Sequence, residues 1–160
     1  MMAPVAIPPF ESFYAEHRGA VLGYLRRMLG PAAEDAWQET FLRALRAYER
    51  LERADHLRAW VFTIATRVAL DELRGASRSV PLGDGLPEQE APEPRGFAYG
   101  ELEHLTGSLP PTERAAVVLR YGYDLPYAEI GAALGSSVDA ARAATSSGVR
   151  RLRRNLERQS

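Results

Sequence analysis

The sequence of 160 residues contains no cysteine and no lysine, so that all 20 of its cationic side chains are arginines. The absence of cysteine excludes disulfides, thiol chemistry and cysteine-ligated zinc, and it favours a reducing compartment, namely the cytoplasm. No stretch approaches the roughly 20 uninterrupted apolar residues that a membrane-spanning helix requires. The N-terminal segment lacks both a cationic start and a long apolar run, which predicts that no signal peptide is present.

The residue patterns of enzymes and metal centres are also missing. His17, His56 and His104 lie far apart in the sequence, and none of them pairs with another histidine at helical spacing. There is no glycine-rich loop of the kind that cradles phosphates, and no serine stands in a nucleophile-elbow pattern. We therefore predict a protein without enzymatic activity, without a metal and without a cofactor.

The net charge of −1 hides an uneven distribution along the chain. Residues 101–139 carry 2 arginines and 6 acidic residues, whereas residues 140–160 carry 6 arginines and 1 glutamate, a net charge of +5. A basic C-terminal segment on a near-neutral chain indicates a polyanionic partner, with nucleic acid as the first candidate. A solvated, arginine-rich helix end accounts for the charge equally well.

Apolar residues in the first 75 positions recur at helical intervals and predict three helices that bury a small core. Gly30 and Pro31 mark the break between the first and second helix, because glycine suits a helix end and proline a helix start. The predicted core positions are Phe10, Phe13, Tyr14, Val21, Tyr24, Leu25 and Met28 in the first helix, Trp37, Phe41, Ala44, Leu45 and Tyr48 in the second, and Leu57, Val61, Ile64, Ala65 and Val68 in the third.

A change of composition divides the chain. Residues 76–97 are rich in proline, glycine and acid and show no periodicity, which is typical of a linker. Helical patterning resumes at Tyr99. The sequence thus predicts an all-α protein with two small helical domains, residues 9–75 and 98–157, joined by a flexible linker. Whether the two domains touch is left open by a linker of this length.

The segment from Pro126 to Ser147 fits a helix-turn-helix. Ile130, Gly131 and Leu134 supply an apolar first helix with a small residue for close packing, and Gly135 suits the turn. The predicted inward positions of the second helix are Val138, Ala141 and Ala144. The segment from Ser136 to Asp139 resembles a capping box. An ordinary helical hairpin fits the same pattern, although the arginines that follow favour DNA binding.

Two blocks of sequence resemble one known family, the extracytoplasmic-function (ECF) sigma factors of bacterial RNA polymerase. The first half is similar to that family's polymerase-binding segment over residues 35–44 and to its −10-reading helix over residues 57–71. The second half is similar to its −35-reading domain, from Leu109 through Leu134-Gly135-Ser136. The resemblance covers residues 10–156, with both blocks in the family's order.

The resemblance implies three sets of functional residues. The implied contacts to core RNA polymerase are Asp35, Gln38, Glu39, Phe41 and Leu42. The implied contacts to the −10 element are Arg58, Trp60, Thr63, Arg67 and Arg74. The implied contacts to the −35 element are Arg142, Ser146, Ser147, Arg150, Arg151 and Arg153. The residue pattern agrees, because four of the first set form a polar ridge at helical spacing and aromatic rings beside arginines suit single-stranded DNA. The alternatives are a solvated helix face for the ridge, and pure core for Trp60 and Phe62.

The recognition helix has few cations. Arg142 is the one cation at a base-reaching position, and Ser147 stands where the family usually has arginine. Serine discriminates between bases less than a bidentate arginine does, so the sequence predicts weak or altered −35 recognition. Gly148 inside this helix is expected to cost about 1 kcal/mol relative to alanine.

These observations predict a cytoplasmic transcription initiation factor that binds core RNA polymerase and promoter DNA. One alternative is a helix-turn-helix regulator that binds duplex DNA without polymerase. Another is a sigma-like protein with weak or lost −35 recognition that acts through protein–protein contacts. Whether an anti-sigma factor is a further partner is left open by the sequence.

Overall fold

The computed structural model describes residues 6–78 and 106–159, and within these ranges every regular element is a helix. The α-helices are α1 (Phe10–Leu29), α2 (Ala33–Tyr48), α3 (Leu57–Arg78), α4 (Pro111–Val117), α5 (Tyr127–Leu134) and α6 (Val138–Gln159). The all-α prediction is confirmed. The helix α3 runs three residues into the predicted linker, because no proline or helix-capping turn intervenes before Arg78. The rest of that linker lies outside the described residues.

The first three helices pack into a bundle, which we call the first lobe (residues 6–78). The side chains of Phe13, Val21, Tyr24 and Leu25 are fully buried, as the periodicity of α1 predicted. The chain turns at Gly30, whose φ of 60° is a left-handed conformation that glycine adopts without a Cβ clash. A short 3-10 turn over Gly30–Ala32 then leads into α2.

The buried stripe of α2 differs from the prediction at one apolar position. Leu45 was assigned to the core, but it is 50% exposed. The stripe instead follows Ala36, Thr40 and Ala44, and the Thr40 hydroxyl avoids an unpaired burial by donating to the Ala36 carbonyl (2.7 Å). Because small residues fill this face, α2 lies close to its neighbours and its larger Leu45 is directed outwards.

The second lobe (residues 106–159) contains the predicted helix-turn-helix. Pro111 occupies the first turn of α4, and a π-helical turn over Val118–Gly122 ends that helix. Between α5 and α6, Gly135 has a φ of 68°. A Cβ on Gly131 would lie 2.8 Å from the Ser137 carbonyl oxygen, so a small residue here permits the close turn.

Two details at the start of α6 correct the sequence interpretation. The cap is Ser137, whose hydroxyl accepts a hydrogen bond from the Ala140 amide (3.0 Å), and not the predicted Ser136. Val138, predicted to face inwards, is 39% exposed because it lies in the first turn, ahead of the buried Ala141. Two turns further along the same face, Thr145 is buried, and its hydroxyl donates to the Ala141 carbonyl (2.8 Å).

The two lobes share one hydrophobic core. A continuous cluster of buried side chains runs from Phe13 and Phe62 of the first lobe to Leu119 and Ile130 of the second. The helix α3 packs against α5, and α1 packs against α4 and the π-turn. The question that the sequence left open is thus answered for this structure: the lobes are in contact.

We predict that Gly131→Val destabilises the protein by about 2 kcal/mol, within the usual cost of overpacking. Valine has the higher helix propensity, so any loss reflects the contact with the backbone of the turn rather than the helix itself. The measurement is the free energy of unfolding in urea. Ala132→Val is the control, since Ala132 is exposed on the same helix. Equal stability of the two variants would contradict the close packing of this turn.

A second prediction concerns pH. Burial lowers the pKa of His17, with Arg58 lowering it further and Glu16 opposing the shift. The unfolded chain then takes up a proton near pH 6.5, before the folded protein does, so stability should fall as the pH drops from 7.5 to 5.5. His17→Gln removes this proton uptake and should flatten the dependence of unfolding free energy on pH. A slope as steep as that of the wild type would show that His17 is not its source.

Candidate nucleic-acid and partner interfaces

The outer face of α2 carries an exposed ridge of mixed character. Asp35 and Gln38 are exposed, and Glu39 is half-buried and accepts a hydrogen bond from Arg43 (3.0 Å). Leu42 is 47% exposed and, with Leu45, places two large apolar side chains beside these polar groups. Such a surface can combine apolar burial with charge-assisted hydrogen bonds to a partner. Leu45 is a member that sequence reasoning missed, because its periodicity suggested the core.

Phe41 borders this ridge on α2, but its side chain is buried against neighbouring rings. It is 6% exposed and packs edge-on against Tyr14 (5.0 Å between ring centres) and Trp37 (5.5 Å). It therefore holds α2 against α1 and presents no open ring surface to a partner. The sequence block that suggested a contact runs through every face of the helix, and Phe41 belongs to its buried face.

The helix α3 brings four of its five predicted residues to one face. Trp60, Thr63, Arg67 and Arg74 lie at intervals of three, four and seven residues, which correspond to about one or two turns. Arg58 lies on the opposite side of the helix, with its guanidinium carbon 5.6 Å from the centre of the Phe62 ring. The structure thus forms a compact surface from four of the predicted residues and separates Arg58 from it.

The aromatic residues of α3 divide between core and surface. Phe62 is fully buried, so the interpretation as core is correct for this ring. Trp60 is half-buried and contacts Phe13 edge-on (5.6 Å), which leaves one part of its indole accessible. Thr63 donates to the Ala59 carbonyl (2.9 Å), and Arg74 pairs with Asp71 (2.7 Å). The cationic part of this face is therefore held mainly by the exposed Arg67.

The helix α6 presents the most cationic surface of the described chain. Arg142, Ser146, Arg150 and Arg153 are all exposed and share one helix face. Towards the C-terminal end the arginines line a shallow concave surface, in which Arg154 joins the predicted set. Arg154 stands in the same cluster of arginines in the sequence, but helical spacing alone did not single it out as a contact residue.

The remaining two predicted residues of α6 are tied to neighbours. Arg151 also borders this concave surface and forms a salt bridge with Glu113 of α4 (2.8 Å), so it connects two helices of the lobe. Ser147 is half-buried and accepts a hydrogen bond from Arg150 (3.2 Å). The packing of α6 accounts for a glycine at position 148, because a Cβ there would lie 2.5 Å from Cγ2 of Val117, where α4 crosses α6.

Comparison with known proteins identifies the family to which this chain belongs. The family model described as sigma-70 region 2 matches residues 13–79, and that described as sigma-70, region 4 matches residues 107–154. The RNA polymerase sigma factor CarQ of Myxococcus xanthus is 35% identical, in an alignment covering 92% of this chain and 88% of CarQ. The ECF RNA polymerase sigma factor SigL of Mycobacterium tuberculosis is 32% identical with the same coverage. The chain belongs to the ECF sigma factors.

This ECF sigma factor is a transcription initiation factor that binds core RNA polymerase and directs it to promoters. Solved structures share its fold. The sigma factor RpoE of Bartonella quintana, in complex with the anti-sigma factor NepR, has a TM-score of 0.77 at 21% identity, covering 92% of this chain and 96% of RpoE. CnrH, in complex with the cytosolic domain of CnrY, has a TM-score of 0.68 at 24% identity and covers 94% and 89%. Among the described helices of the sigma factor, none is both long and apolar enough to span a membrane.

One side chain of the second lobe inserts into the first. The ring of Tyr123 lies 4.9 Å from that of Phe62 and 5.9 Å from that of Tyr24, measured between ring centres. Its hydroxyl accepts a hydrogen bond from Arg27 (2.8 Å). Burial raises the pKa of Tyr24, whose hydroxyl bonds to Thr66 (2.8 Å), so this side of the contact stays uncharged. Tyr123 thus connects the lobes by both apolar and polar contacts.

A second connection satisfies a helix end. Arg114 of α4 donates to the Met28 carbonyl (2.9 Å), one of the last carbonyls of α1 that has no partner within its own helix. The same guanidinium also donates to the carbonyls of Gly107 and Leu109 (2.9 and 3.1 Å). The cation therefore stabilises the C-terminal end of α1, where the helix dipole is negative, and holds the lobes together.

An open cleft of about 840 Å³ lies between the two lobes. Trp60 and Thr63 line one wall, and Pro126 and Ala128 at the start of α5 line the other. Across it, Nδ1 of His56 lies 3.2 Å from a carboxylate oxygen of Glu129. The predicted −10 surface consequently borders the helix-turn-helix in this arrangement.

We predict that Tyr123→Ala separates the lobes, because it removes two ring contacts and a hydrogen bond. Donor and acceptor dyes on cysteines introduced at Glu72 and Ala143, in a chain that has no other cysteine, report the separation as a fall in energy transfer. Tyr121→Ala is a matched control, since Tyr121 is 67% exposed and two residues away. Equal energy transfer in the two variants would show that Tyr123 does not hold the lobes together.

Proposed function

We propose that the exposed ridge of α2 is the surface by which this sigma factor binds core RNA polymerase. The observation that supports it most is the pair of exposed leucines, Leu42 and Leu45, on a helix whose other face is fully packed. Large apolar side chains at the centre of a contact, with Asp35, Gln38 and Glu39 around them, have the composition of a protein–protein hot spot.

We further propose that the −10 element is bound by the face of α3 that carries Trp60, Thr63, Arg67 and Arg74. Arg67 provides a cation for phosphate, and the accessible part of the Trp60 indole provides a stacking surface for an unpaired base. Arg58 lies outside this face, and its contact with Phe62 supports a structural role.

For the −35 element we propose that α6 lies in the major groove. Arg142 and Ser146 are on the base-reaching half of the exposed face, while Arg150, Arg153 and Arg154 lie further along for phosphate contacts. Ser147 and Arg151 contribute through their neighbours, since one bonds to Arg150 and the other to Glu113.

The lobes must separate for both elements to be bound at once. The two elements lie about 25 base pairs apart, which is about 85 Å along B-DNA. The longest helices of the protein have 22 residues, a length of about 33 Å. Because α3 and α5 are in direct contact, a closed molecule cannot span this distance. We therefore propose that the closed arrangement belongs to the free sigma factor and opens on the polymerase.

The cytoplasm is the compartment that this role requires, because promoter DNA and the polymerase are found there. Catalysis is supplied by the polymerase and not by this chain. RpoE was solved in complex with the anti-sigma factor NepR, and CnrH in complex with the cytosolic domain of CnrY. This supports an anti-sigma factor as a further partner of the present chain, bound while the lobes are closed.

The test of the polymerase contact is the substitution Leu42→Arg. It should weaken binding to core RNA polymerase by about 10-fold or more, because a charge would enter the apolar centre of the contact. Leu156→Arg is the matched control, since Leu156 is equally exposed (47%) but lies at the end of α6. Binding is measured by fluorescence anisotropy of the labelled sigma factor titrated with core enzyme.

Unchanged binding by Leu42→Arg, or an equal loss in the Leu156→Arg control, would remove α2 as the specific contact. Run-off transcription with the reconstituted holoenzyme provides a second measurement. A wild-type chain that binds core enzyme but yields no transcript from any promoter of a genomic library would contradict the proposal that it reads both elements.

A further inference from the structure

Two arginine side chains of the second lobe lie against one aromatic ring. The guanidinium carbons of Arg120 and Arg142 are 4.4 Å and 5.5 Å from the centre of the Tyr127 ring. Both distances fall within the range of about 6 Å in which a cation is attracted to a ring face. Tyr127 opens α5, Arg120 belongs to the preceding π-turn and Arg142 to α6. The ring thus joins three successive segments of the helix-turn-helix.

The two arginines differ in how firmly they are held. Arg120 is half-buried, and it also donates to the Leu125 carbonyl (3.2 Å). Arg142 is exposed and, within residues 6–78 and 106–159, it makes neither a hydrogen bond nor a salt bridge. The ring of Tyr127 is therefore the contact that restricts the guanidinium of Arg142.

The arrangement leaves positive charge uncompensated. In the described part of the chain neither Arg120 nor Arg142 is paired with a carboxylate, although both approach the same ring. Two cations held near each other repel, and an anion or a row of hydrogen-bond acceptors relieves that repulsion. The edge of a guanine offers two such acceptors, O6 and N7, to one arginine.

Restriction matters most at Arg142 because no other cation can replace it. It is the one arginine between Val138 and Val149, the part of α6 that would enter the groove. An arginine side chain that is free in solution loses rotamer freedom when it binds a base. A side chain that is already stacked on a ring loses less, so its binding is stronger and better oriented.

We propose that Tyr127 is a positioning residue that determines specificity at the −35 element, by holding the guanidinium of Arg142 in the orientation that donates to O6 and N7 of a guanine. The proposal rests on the role proposed for α6 above. It assigns to Tyr127 an action through Arg142, which requires no contact between the tyrosine and DNA.

The experiment uses holoenzyme reconstituted with core RNA polymerase and a promoter library randomised across the −35 element. Base preference at each position is measured by sequencing the retained DNA. Arg142→Ala should abolish a guanine preference at one position, and Tyr127→Leu should reduce that same preference by about 2- to 10-fold. Tyr127→Phe, which keeps the ring, should retain it. In the Arg142→Ala background, Tyr127→Leu should have no further effect at that position.

Three results would overturn the proposal. The first is that Tyr127→Leu leaves the guanine preference unchanged, and the second is that it lowers retention equally for all sequences, as a loss of lobe stability would. In either case Arg142 could still read the base, and the role of α6 would stand. If Arg142→Ala changes no base preference, the base-reading role of α6 fails and the inference fails with it.

A measurement on the free protein checks the stacking without DNA. The side-chain Nε–Hε signal of Arg142 in a proton–nitrogen NMR spectrum senses the ring current of Tyr127. Tyr127→Leu should shift this signal towards the position of an unstacked arginine, whereas Tyr127→Phe should leave it near its wild-type position. An Arg142 signal that is the same in all three proteins would contradict the stacked arrangement.

Discussion

The packing of α3 against the other helices of its own lobe and against α5 of the second lobe is the constraint on which the rest of the structure depends. Phe62 and Thr66 point from this helix into the shared core, where Tyr24 contacts both of them and Tyr123 of the second lobe contacts Phe62. Without that contact the second lobe would have to bury its own apolar surface among α4, the π-turn, α5 and α6 alone. A small helical unit of about 50 residues is marginal by itself, because it buries a small share of its surface. Docking on α3 therefore stabilises the helix-turn-helix as well as orienting it.

The proposed −10 contact requires the same helix to expose a second face, so α3 has one side in the core and the other in solvent. Phe62, Ala65 and Ala69 point into the core, whereas Arg67 and Arg74 point outwards. Trp60 and Thr63 lie at the boundary, where they border the cleft between the lobes. A boundary position suits a residue that is covered in the closed molecule and accessible in the open one. The proposed opening of the lobes would therefore also uncover part of the proposed −10 surface.

Helical periodicity was sufficient to predict the elements and most of the core, because burial of one helix face leaves a regular signal. It failed at Leu45, where the small residues Ala36, Thr40 and Ala44 form the buried stripe and a leucine is directed outwards. Phe41 was assigned to a contact surface because sequence blocks do not distinguish the faces of a helix. The packing of the lobes could not be predicted, since the segment between them permits either arrangement. The stack of Arg120, Tyr127 and Arg142 joins residues up to 22 positions apart on different elements, which no local pattern reveals.

The proposed role of α6 requires a base-reading surface with a single cation to be selective. In the proposed complex the arginines at the C-terminal end of α6 supply affinity through phosphate contacts, which are insensitive to sequence. Discrimination then depends on the orientation of the few side chains that reach the bases, and here that number falls to Arg142 and Ser146. Serine hydrogen-bonds to several bases, so the geometry of a single guanidinium carries most of the distinction. In the proposed arrangement an orienting ring beside that guanidinium compensates for the missing cations, because it adds precision where additional charge would add only affinity.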